Sequence, residues 1–185
     1  MAGKLVVISA PSGGGKNAVI ARLIPHIGGS CRLVTTTTRD KRAREKEGID
    51  YFFVSKSEFQ SLIESGALLE HNLYAGEYYG IQKKHLQKFL EGHTVVFSTI
   101  DVHGKQNLDK LGIEHISIFL MPEDVDILEK RIRERGSTSE DKIEDRLKIA
   151  EFELNMAEKY DYIVVNRQGF IEDTVQEILA ILDKN

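Results

Sequence analysis

The strongest chemical signal in the sequence is Ala10-Pro11-Ser12-Gly13-Gly14-Gly15-Lys16-Asn17. It follows a short apolar run, Leu5–Ile8, and precedes an apolar-periodic stretch from Val19-Ile20 to Leu23. Strand, glycine-rich loop and helix in that order are what a phosphate loop requires. Glycines let successive backbone N–H groups face phosphate oxygens, and the helix N-terminus adds partial positive charge. Lys16 then reaches the β- and γ-phosphates of a nucleoside triphosphate. Two positions depart from the motif. Ala10 stands where its first Gly is expected, and Asn17 where a Ser or Thr hydroxyl ordinarily ligates magnesium. An Asn side-chain oxygen is a hard ligand that can bind Mg²⁺ or hold one of its waters. A flexible glycine-rich turn beside a chance lysine is the plainer alternative, and the flanking strand and helix weigh against it.

A second set of residues follows: Val34-Thr-Thr-Thr-Thr-Arg39-Asp-Lys-Arg42, then Glu47-Gly48-Ile49-Asp50-Tyr51-Phe52-Phe53. After a short amphipathic segment on Phe59, Leu62 and Ile63 come Gly66-Ala-Leu-Leu-Glu70 and Gly76-Glu77-Tyr78-Tyr79-Gly80. Arg131-Ile-Arg-Glu-Arg135-Gly136, Arg146-Leu147 and Val164-Val165-Asn166 lie further on. In order and spacing, this set resembles the guanylate kinase family over nearly the whole chain.

The resemblance implies ATP-dependent phosphorylation of GMP, and of dGMP, to the diphosphate, with Mg²⁺ as cofactor. It implies that Pro11 through Asn17 bind ATP, with Arg131 and Asn166 flanking its adenine. Arg39, Arg42, Tyr51 and Tyr79 would hold the acceptor phosphate. Thr35, Glu70 and Asp101 would meet guanine. Arg135 and Arg146 would join Lys16 and Arg39 as catalytic residues, swinging in from a lid. The chemistry agrees. An acceptor phosphate already ionised at neutral pH needs no general base, only charge neutralisation, alignment and exclusion of water. Arginine forks bind phosphate bidentately. One carboxylate accepts both donors on the guanine pairing edge, whereas adenine presents an acceptor there.

The family pattern is also broken at Ile81, where a hydroxyl is usual, and at Thr99, the first of a usual aspartate pair. A related kinase with another acceptor is therefore a second reading, motivated by Ile81. A weakly active or non-catalytic guanylate-kinase-like binding module is a third, motivated by Asn17 and Thr99.

The elements that position these residues are legible as patterns. Leu5–Ile8, Val95–Phe97, Ile116–Leu120 and Tyr162–Val165 read as buried strands, and residues 32–36 supply a fifth. Helical spacing recurs at Val125, Leu128 and Ile132, and at Ile171, Val175, Ile178 and Leu182. The expected fold is α/β, a three-layer core with a parallel sheet and two insertions; the resemblance makes it a phosphate-loop NTPase core with a GMP-binding insertion and a lid. The core would comprise residues 1–33, 85–125 and 158–185, the nucleoside-monophosphate region 34–84, and the lid 126–157. With 25 Lys and Arg against 29 Asp and Glu, the net charge of −4 argues against nucleic-acid or membrane partners. A single cysteine, Cys31, precludes an internal disulfide and suits a reducing compartment. No apolar run has the length of a membrane span. The expectation is a cytoplasmic monomer or homodimer whose partners are ATP and GMP.

Overall fold

The computed structural model describes residues 3–74, 76–124, 128–130, 133 and 140–185. In chain order its elements are β1 (Lys4–Ser9), α1 (Lys16–Leu23), β2 (Ser30–Arg32), β3 (Thr35–Thr37), β4 (Tyr51–Phe53), α2 (Lys56–Glu64), β5 (Leu68–Tyr74) and β6 (Glu77–Gln82). Then follow α3 (Lys83–Gly92), β7 (Val95–Ser98), α4 (Val102–Lys110), β8 (Ile116–Pro122), α5 (Glu140–Asn155), β9 (Tyr162–Asn166) and α6 (Ile171–Leu182).

β1 is the centre of a five-stranded parallel sheet in the order β2-β7-β1-β8-β9. Successive side chains of a strand face opposite ways, so a strand covered on both sides is apolar throughout. Val6 and Ile8 pack with Ile20 and Leu23 of α1 and with Val175 and Ile178 of α6. Leu5 and Val7 pack on the opposite face with Leu33, Leu86 and Leu108. Helix, sheet and helix thus form the three layers.

The stretch 32–36 is not one strand. Arg32 ends the edge strand β2, and Thr35 opens β3 of a different sheet. Leu33 and Val34 are the buried junction, and the Leu33 N–H donates to the Phe97 carbonyl at 2.7 Å. A β-branched run fits either sheet, so propensity alone did not mark the crossing. The second sheet, in the order β4-β3-β6-β5, is mixed: β3 runs parallel to β4 and antiparallel to β6. Its strands place their residues over the carboxyl ends of β1 and β7.

Leu128 is helical and buried with Ile143, Leu147 and Ala150 in a small separate core. Val125 and Ile132, the rest of that helical pattern, lie outside the described residues. Among the described residues no helix is long and apolar enough to cross a membrane.

Candidate active site

Backbone geometry at the end of β1 requires glycine. Gly13 and Gly15 have φ of +92° and +87°, in the left-handed region that other residues rarely adopt. Gly15 also N-caps α1, whose first turn carries no side-chain cap, leaving its N–H groups to an anion. The Lys16 ammonium folds back onto the Ala10 carbonyl. Ala10 is tolerated because position 14 is glycine: a Cβ there would lie 2.6 Å from the Ala10 Cβ. A strut from the far edge of the sheet braces the loop. Asn166 Nδ2 donates to the Gly14 carbonyl at 2.9 Å, and Asn166 Oδ1 accepts the Thr174 hydroxyl at 3.1 Å.

The loop from Ser12 to Asn17 forms one wall of a cavity of about 420 Å³. Thr99, Ile100 and Asp101, at the carboxyl end of β7, form its floor, where ligands of parallel α/β sheets bind. The second sheet, with Thr35, Tyr51, Glu70 and Tyr79, and its β3–β4 connection, with Arg39 and Arg42, supply the far wall. Pro11 and Asn166 do not line the cavity, and Asn166 is engaged with the loop instead of facing it openly.

Arg39 gives one N–H to Glu45 Oε1 at 2.7 Å and another to the Asp40 carbonyl at 2.7 Å. Its guanidinium stacks over Tyr51 at 5.5 Å and Phe53 at 5.8 Å, and Tyr51 meets Tyr79 edge-on at 6.1 Å. Glu45 Oε2 accepts the Arg42 backbone N–H at 2.8 Å, and the Arg42 guanidinium stands 3.9 Å from Oε1. Burial raises the Glu45 carboxyl, but the Arg39 hydrogen bond and the Arg42 N–H outweigh it and hold it below its ordinary value. Glu45, which the sequence reading did not single out, thus orients both arginines. Its position three residues from Arg42 was the available signal.

Glu70 is 6% exposed. Burial, and then the charge of Asp101, push its carboxyl up to about 8, while the Ile81 N–H draws it down. Asp101 caps α4 by accepting the Gly104 N–H at 2.8 Å, and accepts Asn72 Nδ2 at 2.8 Å. It is therefore both a helix cap and part of the cavity floor. Gly104 fits closely there: a Cβ would stand 3.1 Å from the Ile100 Cβ and 3.2 Å from Glu70 Oε2, and those side chains would have to give way. Asn72 and Tyr74 also line the cavity. With Glu70 they alternate along β5, so a period-two reading from Glu70 would have found both. Ile81 is buried in the core cluster of Leu5 and Val7 and is not among the cavity-lining residues.

Arg146 sits half-buried on α5, where its charge acts on the Tyr74 hydroxyl. Arg131 and Arg135 lie outside the described residues. Arg133, between them, pairs with Glu129 one turn away at 2.8 Å, an exposed pair of the ordinary helical kind. Asn17 is exposed at the cavity rim. Glu153, also unforeseen, is a buried carboxylate in the cavity wall.

The family model described as "Guanylate kinase" matches residues 2–185. A guanylate kinase of Wolbachia sp. subsp. Brugia malayi is 40% identical over 183 residues, 98% of this chain and 93% of its own. One from Oceanobacillus iheyensis is 37% identical over 97% of this chain and 86% of its own. The crystal structure of guanylate kinase from Anaplasma phagocytophilum superposes with a TM-score of 0.77 at 32% identity, covering 99% of this chain and 86% of that one. A shikimate kinase from Bacteroides thetaiotaomicron, at TM-score 0.53 and 15% identity over 97% of this chain and 98% of its own, shares the fold.

Proposed function

The chain belongs to the guanylate kinase family and phosphorylates GMP, and we propose that it does so with the residues gathered in this one cavity. The observation that carries the assignment of roles is their co-location: a phosphate loop faces a buried carboxylate and an arginine–tyrosine cluster across about 420 Å³.

ATP enters with its β- and γ-phosphates against the loop N–H groups and Lys16. Arg39, Arg42, Tyr51 and Tyr79 receive the phosphate of GMP. An arginine has five N–H donors in a fork, so Arg39 can bind phosphate while keeping Glu45. Glu70, as carboxylate, accepts guanine N1–H and one N2–H. Thr35 and Asp101 complete that wall, Asp101 chiefly by fixing Asn72 and the start of α4. Residues 34–84 act as the acceptor-binding region and 126–157 as the lid. Arg135 and Arg146 come from the lid to the transferring phosphoryl group, and closure excludes water. Arg131 flanks adenine. Asn166 contributes there only with the hydrogen and lone pair that Gly14 and Thr174 leave to it.

Mg²⁺ fits the donor set. Asn17 offers a hard oxygen at the rim and Thr99 a hydroxyl on the floor. Among the described residues no cluster of three His, Cys, Asp or Glu forms a protein cage. That suits an ion carried mainly by phosphates and waters. When bound, it neutralises phosphate charge. dGMP is accepted as well as GMP.

The test is transfer of label from γ-labelled ATP, with Mg²⁺, to GMP, dGMP, AMP, CMP and UMP. Labelled GDP and dGDP are expected. Label in a different acceptor, or in none, overturns the assignment.

A further inference from the structure

Glu153 has no part in the mechanism above, yet it lines the same cavity. It lies near the end of α5, is 3% exposed, and shares a helix face with Arg146 two turns earlier. The Ser12 backbone N–H faces its carboxylate, and the Lys16 ammonium acts on it by charge. Its Oε2 is buried with no hydrogen-bond partner among the described residues. A buried carboxylate oxygen left that way is unfavourable unless a cation, a donor or a proton reaches it.

The groups around it decide which. Lys16 faces it from α1, Asp101 from the start of α4, Tyr74 from β5 and Tyr160 from the turn before β9. Arg146, on its own helix, acts on Tyr74. Lys16 is thus the cation that favours ionised Glu153 against its burial, and it is also the cation that ATP phosphates require. When those phosphates occupy the loop, Glu153 shares its cation and gains an anionic neighbour. Both changes favour the neutral carboxylic acid.

We propose that Glu153 is a proton-coupled positioning residue: a carboxylate holding Ser12 and Lys16 in the empty loop, and a carboxylic acid once ATP phosphates take Lys16. The proton comes from solvent to Oε2, up to one per ATP bound, and returns to solvent when the nucleotide leaves. No other bond forms or breaks. Protonation turns the orphan acceptor into a donor beside the loop. The raised titration of the empty-site carboxyl agrees. Burial raises it, Lys16 lowers it and Asp101 raises it, to about 7.

The proposal rests on the reading that the loop takes ATP. The experiment is calorimetric titration of the full chain with ATP and Mg²⁺, without GMP, at pH 8 in two buffers of different ionisation enthalpy. The native chain is expected to take up a large fraction of a proton more per ATP than Glu153→Gln. Protonation of the nucleotide is common to both and drops out of the difference. Between pH 7 and 9 the native Kd should rise by up to tenfold per unit relative to the variant. A second measurement needs no variant: the Glu153 side-chain carboxyl carbon, followed by NMR in labelled native protein, should titrate at higher pH with ATP than without. ATP binding with equal proton uptake, or with an unchanged or lowered Glu153 titration, overturns this proposal alone. Absence of ATP binding overturns the loop reading and this proposal with it.

Discussion

Raising the pH should tighten GMP binding, and Glu70 sets the size of the effect. Burial and the charge of Asp101 bring its carboxyl to about 8. At pH 7 roughly a tenth of it is ionised in the empty site. Guanine presents two adjacent donors, and only the carboxylate accepts both. Bound GMP therefore stabilises the ionised form, so the Glu70 pKa is lower in the complex than in the empty site. With that sign, binding releases a proton, and affinity rises with pH until the empty-site value is passed. From pH 7 to 8.5 the ionised fraction grows about eightfold, so the GMP Kd should fall about eightfold. Glu70→Gln keeps one acceptor but turns an amide donor toward a guanine donor. An unmet buried donor costs about 1–3 kcal/mol, so GMP should bind about 5- to 150-fold more weakly, with the ATP KM unchanged. The pH slope should vanish in the variant. Calorimetry with GMP across this range, in both proteins, gives both quantities. A native Kd flat from pH 7 to 8.5, or an equal slope in Glu70→Gln, refutes the assignment of the base-reading carboxylate.

Three more predictions concern the phosphate loop. Gly14→Ala places a Cβ 2.6 Å from that of Ala10 and 3.0 Å from the Pro11 carbonyl oxygen and should destabilise the chain by about 1–3 kcal/mol, with Ala10→Gly in the same chain recovering part of it. Thermal melts of the four proteins of that cycle test it, and additive losses contradict it. Asn166→Leu breaks the strut to the Gly14 carbonyl and should raise the ATP KM about tenfold while leaving the GMP KM alone. An equal rise for both substrates speaks against a role confined to the loop. Asn17→Thr supplies the hydroxyl usual at that position and should raise kcat or lower the Mg²⁺ requirement. A rate unchanged or reduced across a Mg²⁺ titration shows that Asn17 is no handicap.

What could be read from the residues was local. The phosphate loop carries its strand, glycines and helix within twenty positions, and the doubly covered strands show apolar runs at Leu5–Ile8 and, broken only by Ser117, at Ile116–Leu120. The second sheet left little trace. β3 and β4 have three residues each, and β3 is threonine throughout. That is why 32–36 looked like one strand instead of a crossing between sheets. Asn72 and Tyr74 were hidden for a different reason: they follow Glu70 at period two, but His71 and Leu73 between them break any apolar contrast. Glu153 and the Asn166 strut meet the loop from distant parts of the chain. Such pairings follow from tertiary packing and have no local pattern. Ile81 shows the converse. Its motif position points to the base, while the fold turns it into the core beside Leu5 and Val7.

The central claim is that this cavity selects guanine and transfers a phosphoryl group to its monophosphate. The most direct measurement is kcat/KM for GMP against AMP, with ATP and Mg²⁺, by coupled detection of ADP. Because a mismatched base leaves Glu70 unpaired in a buried wall, GMP should be preferred by about 10⁴-fold or more. Comparable values for the two nucleotides, or ADP release independent of either, would contradict the account.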